Sequence, residues 1–90
     1  MKKILFGNNN NIIYKQLKLQ RIKANLTQGE LAAKMQIMGI NMDQQTVSRI
    51  ERNERIVTDY ELACLCRILH VSEQDLLQDF EKKQKELQQF

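Results

Sequence analysis

The sequence predicts a single all-α domain built from five helices. Apolar residues recur at three- and four-residue spacing in five successive segments, four of those segments open on a helix-capping residue, and none alternates as a half-buried strand does. Ninety residues, 42% hydrophobic and 28% charged, suffice for one small core. They are too few for two lobes around a deep cleft, which excludes multidomain enzymes and weighs against catalysis.

Residues 1–11 stand apart from this pattern. Lys2-Lys3-Ile4-Leu5-Phe6 reads as a flexible leader rather than a strand, and Gly7 with the asparagine run of residues 8–11 reads as a linker. The first helix is expected over residues 11–24, with Ile13, Leu17 and Ala24 on one stripe and Asn25 as a left-handed stop. Thr27 and Glu30 then form a capping box, with Leu26 stapled onto Leu31. The second helix turns Leu31, Ala32, Met35 and, at its end, Met38 inward until Gly39 terminates it. Asp43 caps the third helix, which runs from Gln44 to Arg52 with Val47 and Ile50 on its apolar stripe. After a polar, basic connection at residues 53–57, Thr58 and Glu61 repeat the capping box, and Val57 is placed to staple onto Leu62. The fourth helix buries Leu62, Leu65, Cys66 and Leu69. Ser72 starts the fifth, where Leu76, Leu77 and Phe80 continue an apolar stripe into a Gln/Lys/Glu-rich tail.

The net charge of +3 is unevenly spread. Residues 1–58 carry ten basic and four acidic side chains, a net +6, whereas residues 59–90 carry four and seven, a net −3. The first part can face a polyanion, although charge alone more often marks a solvated face. The apolar run Ile4-Leu5-Phe6 is too short for a membrane span or a signal-peptide core, which places the chain in the cytoplasm with no membrane partner. Cys64 and Cys66 lie two apart on a helix, so their side chains diverge by roughly 200° and cannot pair. A reducing compartment fits them.

Three stretches occur in order. They are Arg21-Ile22-Lys23-Ala24-Asn25-Leu26-Thr27-Gln28-Gly29-Glu30-Leu31-Ala32, then Thr46-Val47-Ser48-Arg49-Ile50-Glu51-Arg52-Asn53, then Leu65 to Leu77 with Val71-Ser72 and Leu76-Leu77. Together they resemble the phage repressor and Cro-type, or XRE-like, helix-turn-helix family of DNA-binding domains. The resemblance covers residues 12–77 and leaves residues 78–90 as a polar helical tail. It implies a lambda-repressor-like five-helix bundle that binds double-stranded DNA sequence-specifically through its third helix. Such a protein acts in transcription regulation as a repressor and homodimer, without cofactor or catalysis. It also implies phosphate contacts from Thr27, Gln28, Asn53 and Arg55, and an internal ion pair between Arg21 and Glu51; Arg49 and Arg52 each suit guanine or phosphate, with Arg52, at the helix end, the better placed for phosphate. His70 stands where the family has glycine, and histidine tolerates the left-handed conformation better than most residues. One departure is plain: seven residues, 36–42, separate Met35 from Asp43, where the family has a tight turn. The second helix is therefore expected to run about one turn longer, with Ile40 or Met42 tucked into the core.

Helical geometry assigns the third helix a reading face independently. With Val47 at 0° and about 100° per residue, Gln45, Arg49 and Arg52 fall between roughly 140° and 200°, and Ser48 near ~100°. That outward face is polar, long-armed and cationic. Gln44, in the first turn, can extend past the helix end. The base-reading set is thus Gln44, Gln45, Ser48 and Arg49, and glutamine's fit to N6 and N7 of adenine predicts an A·T preference. Exposed glutamines near a helix start are otherwise only solubilising.

Cys66 and His70, four apart, invite a metal reading, but a structural zinc site wants four ligands and Cys64 points elsewhere, so no metal is expected. A lone histidine without a paired nucleophile or carboxylate makes no catalytic constellation. In the tail, Phe80, Leu87 and Phe90 with Leu76 read equally as a stripe that docks a second copy and as a solvated end. The alternative function is a protein-interaction module, an antitoxin-like partner whose tail folds onto another protein.

Overall fold

The computed structural model describes residues 6–87, which form five helices: α1 Tyr14–Lys23, α2 Gln28–Ile37, α3 Gln44–Glu51, α4 Asp59–Leu69 and α5 Glu73–Leu87. Extended pairing among the described residues is one isolated bridge between Phe6 and Asn9. Among those residues no helix is long and apolar enough to cross a membrane.

Local chemistry sets where the helices start. The Thr27 hydroxyl accepts from the Glu30 N–H at 3.0 Å while the Thr27 N–H donates to Glu30 Oε1 at 2.8 Å. Thr58 and Glu61 repeat this exchange at 3.3 and 2.9 Å, and Ser72 and Asp75 at 3.1 and 2.9 Å. Asp43 Oδ1 accepts both the N–H and the hydroxyl of Thr46, at 2.8 and 2.9 Å. Each device satisfies an otherwise orphaned N–H at a helix start, a contribution of about 1 kcal/mol. Helix ends are marked by left-handed residues: Asn25, Gly39, Asn53 and His70, with φ of 58°, 86°, 61° and 57°.

Two sequence expectations shift at helix ends. α1 begins at Tyr14 and closes at Lys23, leaving Ala24 exposed as its C-cap, so its core-facing stripe is Ile13 and Leu17. Met38 likewise falls on the C-cap of α2, beyond the last full turn, and is exposed. Its place in the core is taken by Met42, fully buried, with Ile40 half-buried beside the same cluster. Gly39 makes this possible, because its left-handed turn lets the Ile40 N–H donate to the Met35 carbonyl at 3.0 Å and the Gly39 N–H to that of Gln36 at 2.9 Å. Gln36 Nε2 then donates to the Met42 carbonyl at 2.8 Å and fastens the long connection to the helix before it.

The core draws on every helix: Leu17 of α1, Leu31, Ala32 and Met35 of α2, Val47 and Ile50 of α3, Leu65, Cys66 and Leu69 of α4, Leu76 of α5, with Ile13 and Met42 between elements. α2 packs most extensively on α3; α1 packs on α3 and α5, and α4 on α2 and α5. Burial, with Glu73 and Asp75 adding to it, pushes the Cys66 thiol up to about 11.

The asparagine run is not a free linker. Phe6 and Asn9 exchange backbone hydrogen bonds of 3.0 and 2.9 Å, and the Phe6 ring meets Phe80 edge-on with centroids 5.3 Å apart. Asn9, Asn10 and Asn11 all bond to Asn53. At the other end, α5 continues unbroken through residue 77, and Gln16 of α1 bonds both Gln78 and Asp79. Residues 1–5 of the expected leader, Phe90 and the side chain of Leu87 lie outside the described residues.

Candidate nucleic-acid interface

α3 divides sharply into two sides. Val47, Ile50 and Glu51 are buried, while Gln44, Gln45, Arg49 and Arg52 are exposed and Ser48 is half-buried between them. Gln28, at the start of α2, joins this outer side, and together with Glu54 these five residues of α3 and its end line one shallow concavity. The Gln44 carboxamide reaches back over α2: a Cβ placed on Gly29 would lie 3.4 Å from Gln44 Oε1.

Behind that surface sits an ionic junction. Arg21 Nε donates to Glu51 Oε2 at 2.7 Å and Arg21 Nη2 to Oε1 at 3.1 Å, while Nη1 donates to the Leu26 carbonyl at 2.8 Å. Gln28 Nε2 also donates to Glu51 Oε1, at 3.0 Å. The Glu51 side chain is 2% exposed and that of Arg21 11%. One buried carboxylate therefore ties the end of α1, the start of α2 and the end of α3 together, and fixes the angle between α2 and α3.

The residues expected to hold phosphate separate into two groups. Arg52 is exposed and pairs with Glu54 at 3.4 Å, a solvent-screened contact of little energy. The Thr27 hydroxyl is engaged in its cap, but the N–H groups of Gln28 and Gly29 have no hydrogen-bond partner among the described residues. Asn53 and Arg55, in contrast, spend their side chains inside the fold. Asn53 is held by residues 9–11, and Arg55 makes a two-pronged pair with Glu61, Nη1 to Oε1 and Nη2 to Oε2, both 3.0 Å. In the free molecule both side chains use most of their hydrogen-bonding capacity inside the fold while remaining half-buried.

The Arg55–Glu61 pair has a pH signature. Burial pushes the Glu61 carboxyl up, but the hydrogen bonds from Arg55 and from the Thr58 N–H outweigh it and hold the group below its ordinary 4.5. Glu30 and Asp43 are also lowered, chiefly by the N–H groups of Thr27 and Thr46. A carboxyl with a depressed folded pKa contributes stability that is present above its unfolded pKa and lost as pH falls through the folded value. Melting temperature is therefore expected to hold between pH 6 and 5 and to drop steadily below about pH 4.5, and Glu61→Gln should flatten that acid limb. Thermal melts of both proteins across that range check this.

Three contacts escaped the sequence. Gln28 to Glu51 and Arg55 to Glu61 escaped because each residue also fits a role on its own helix, and the docking of residues 9–11 escaped because an asparagine run ordinarily marks turns. The helix-turn-helix family model matches residues 17–76, a span that takes in all of α2, α3 and α4. No curated protein matches the chain.

Proposed function

The chain belongs to the helix-turn-helix family of DNA-binding regulators, of the phage repressor and Cro type, and from that premise we propose that it is a sequence-specific repressor that lays α3 in the major groove of double-stranded DNA. The observation that carries this reading is the gathering of Gln44, Gln45, Ser48 and Arg49 with Gln28 and Arg52 on one concave, open surface, backed by a locked junction. In helix-turn-helix docking the N-terminal residues of the second helix meet base edges. Gln44 and Gln45 then read adenine through N6 and N7, Arg49 takes guanine O6 and N7, and Ser48 sits between them. Arg52 and the open N–H groups of Gln28 and Gly29, with Thr27 beside them, hold phosphates on either side, while the Gln28 side chain stays on Glu51. Asn53 and Arg55 drop out of the phosphate set, their side chains being committed within the fold. Binding as a homodimer to two-fold-related half-sites about one helical turn apart suits this geometry.

Fluorescence anisotropy tests the reading, with a random-sequence duplex pool and its enriched fraction at two salt concentrations. With about 4–6 phosphates neutralised per protomer, log K should fall with log salt at a slope of about −4 to −5 per protomer, and the enriched fraction should carry a two-fold-related motif. A folded sample that binds neither duplex at low salt would overturn it.

A further inference from the structure

We propose that the asparagine segment before α1 is a positioning element of the DNA-binding unit, and that Asn53 serves DNA binding by anchoring this segment rather than by touching the nucleic acid. This rests on the reading of α3 given above.

α3 has eight residues, too few to hold their own shape in water, so its placement depends on what grips its ends. Glu51 grips it from the α2 side. At the exit, the chain turns through Asn53 in the left-handed conformation, and the Ile50 carbonyl, which takes the Asn53 N–H at 3.0 Å, has a lone pair left for a second donor. Asn11 supplies one: its Nδ2 donates to the Ile50 carbonyl at 3.0 Å and to that of Arg55 at 2.9 Å, while its Oδ1 accepts from the Ile13 N–H at 3.1 Å. Asn11 is 8% exposed, so one buried carboxamide links the end of α3, the connection after it and the start of α1.

Asn53 completes the junction from the other direction. Its Oδ1 accepts the N–H groups of Asn10 and Asn11 at 2.9 and 3.2 Å, and its Nδ2 donates to Asn9 Oδ1 at 2.8 Å. Its carbonyl accepts from Asn10 Nδ2 at 3.0 Å. Three consecutive asparagines thus converge on one residue 42 to 44 positions away. Turn chemistry within the run does not account for that. Both acceptor sites of the Asn53 carboxamide and one of its donors are already used, which leaves a single N–H for any phosphate. The consequence is leverage: α3 is about 12 Å long, so a tilt of about 5° at its exit moves Gln44 and Gln45 by about 1 Å, enough to misalign base hydrogen bonds.

The test uses the full chain and four variants: Asn53→Gly, which keeps the left-handed backbone while removing the carboxamide, Asn53→Asp, the pair Asn9→Ala with Asn10→Ala, and Asn53→Gly combined with that pair. Affinity for the enriched duplex and for a random duplex is measured at a temperature where circular dichroism shows every protein folded. Asn53→Gly and the asparagine pair should each lower affinity for the enriched duplex about tenfold, the size of one misaligned base contact, with little change on random duplex. The combination should be no worse than the stronger of the two, since both open the same brace. Asn53→Asp keeps both acceptor bonds, so it should retain more of the enriched-to-random ratio than Asn53→Gly. Additive losses, or Asn53→Asp as the worst variant, would mean that Asn53 meets the phosphate itself and would overturn the proposal. So would an unchanged ratio in Asn53→Gly. A wild-type chain that fails to distinguish the two duplexes would instead overturn the reading of α3, and the brace with it.

Discussion

Replacing Arg21 with alanine is expected to cost the fold about 3–5 kcal/mol. The Glu51 side chain is 2% exposed and takes two of its three side-chain hydrogen bonds from that guanidinium. Without Arg21, a buried carboxylate is left with the Gln28 amide alone, and the Leu26 carbonyl loses its donor as well. For a domain of this size the loss corresponds to a fall in melting temperature on the order of 20 °C. Urea unfolding measures it directly, and a loss under about 1 kcal/mol would show that the pair contributes no more than an exposed one. Arg21→Lys tests geometry against charge: an ammonium cannot reach both carboxylate oxygens and the Leu26 carbonyl as the planar fork does, so it should recover only part of the loss. Because the junction also ties α2 to α3, a loss of DNA binding in Arg21→Ala would not by itself show contact between Arg21 and DNA.

Arg49→Ala and Gln45→Ala should behave in the opposite way. Both side chains are exposed, and neither takes part in a salt bridge or a side-chain hydrogen bond among the described residues, so melting temperature should move little. Specific affinity should fall by about 1–3 kcal/mol for each, roughly 5- to 150-fold, with preference relaxed at the one or two base pairs each residue faces. Selection from a random pool with each variant reads this out base by base. Unchanged motifs for both would remove these residues from the readout set. A uniform loss on all sequences with Arg49→Ala would reassign that residue to phosphate.

Much of this was legible in the sequence because the signals are short. Thr27 with Glu30, the cap at Asp43, and Thr58 with Glu61 each fix a helix start within four residues, and all three form in the structure. The same holds for Val47 and Ile50, whose spacing placed Gln45 and Arg49 on the outward side of α3. Periodicity does not say where a helix stops: Ala24 and Met38 continue the spacing of their stripes, but each helix ends one residue before them. The internal bonds of Asn53 and Arg55 were out of reach for a different reason. The resemblance fixes where they lie along the chain, but what their side chains bind depends on Asn9 to Asn11 and on Glu61, which no local pattern connects to them. Glu61 was recognised as a capping residue, and a carboxylate with two oxygens can serve Thr58 and Arg55 together.

The contrast between these short-range caps and the Asn11 junction also orders events in time. Helix starts decided within four residues form on the timescale of local chain motion, before any long loop has closed. Joining Asn11 to Ile50 and Arg55 closes a loop spanning 39 to 44 positions, and the entropy of that closure is met only when the bundle behind it exists. The junction therefore closes late in folding and opens early in unfolding. Native-state hydrogen exchange is expected to show residues 6–11 and the exit of α3 opening before the fully buried Leu31 and Leu65. Limited proteolysis of the free protein is therefore expected to cut first around the asparagines, and saturation with the enriched duplex is expected to slow that cut; first cleavage inside α2 or α4 would contradict this order of opening.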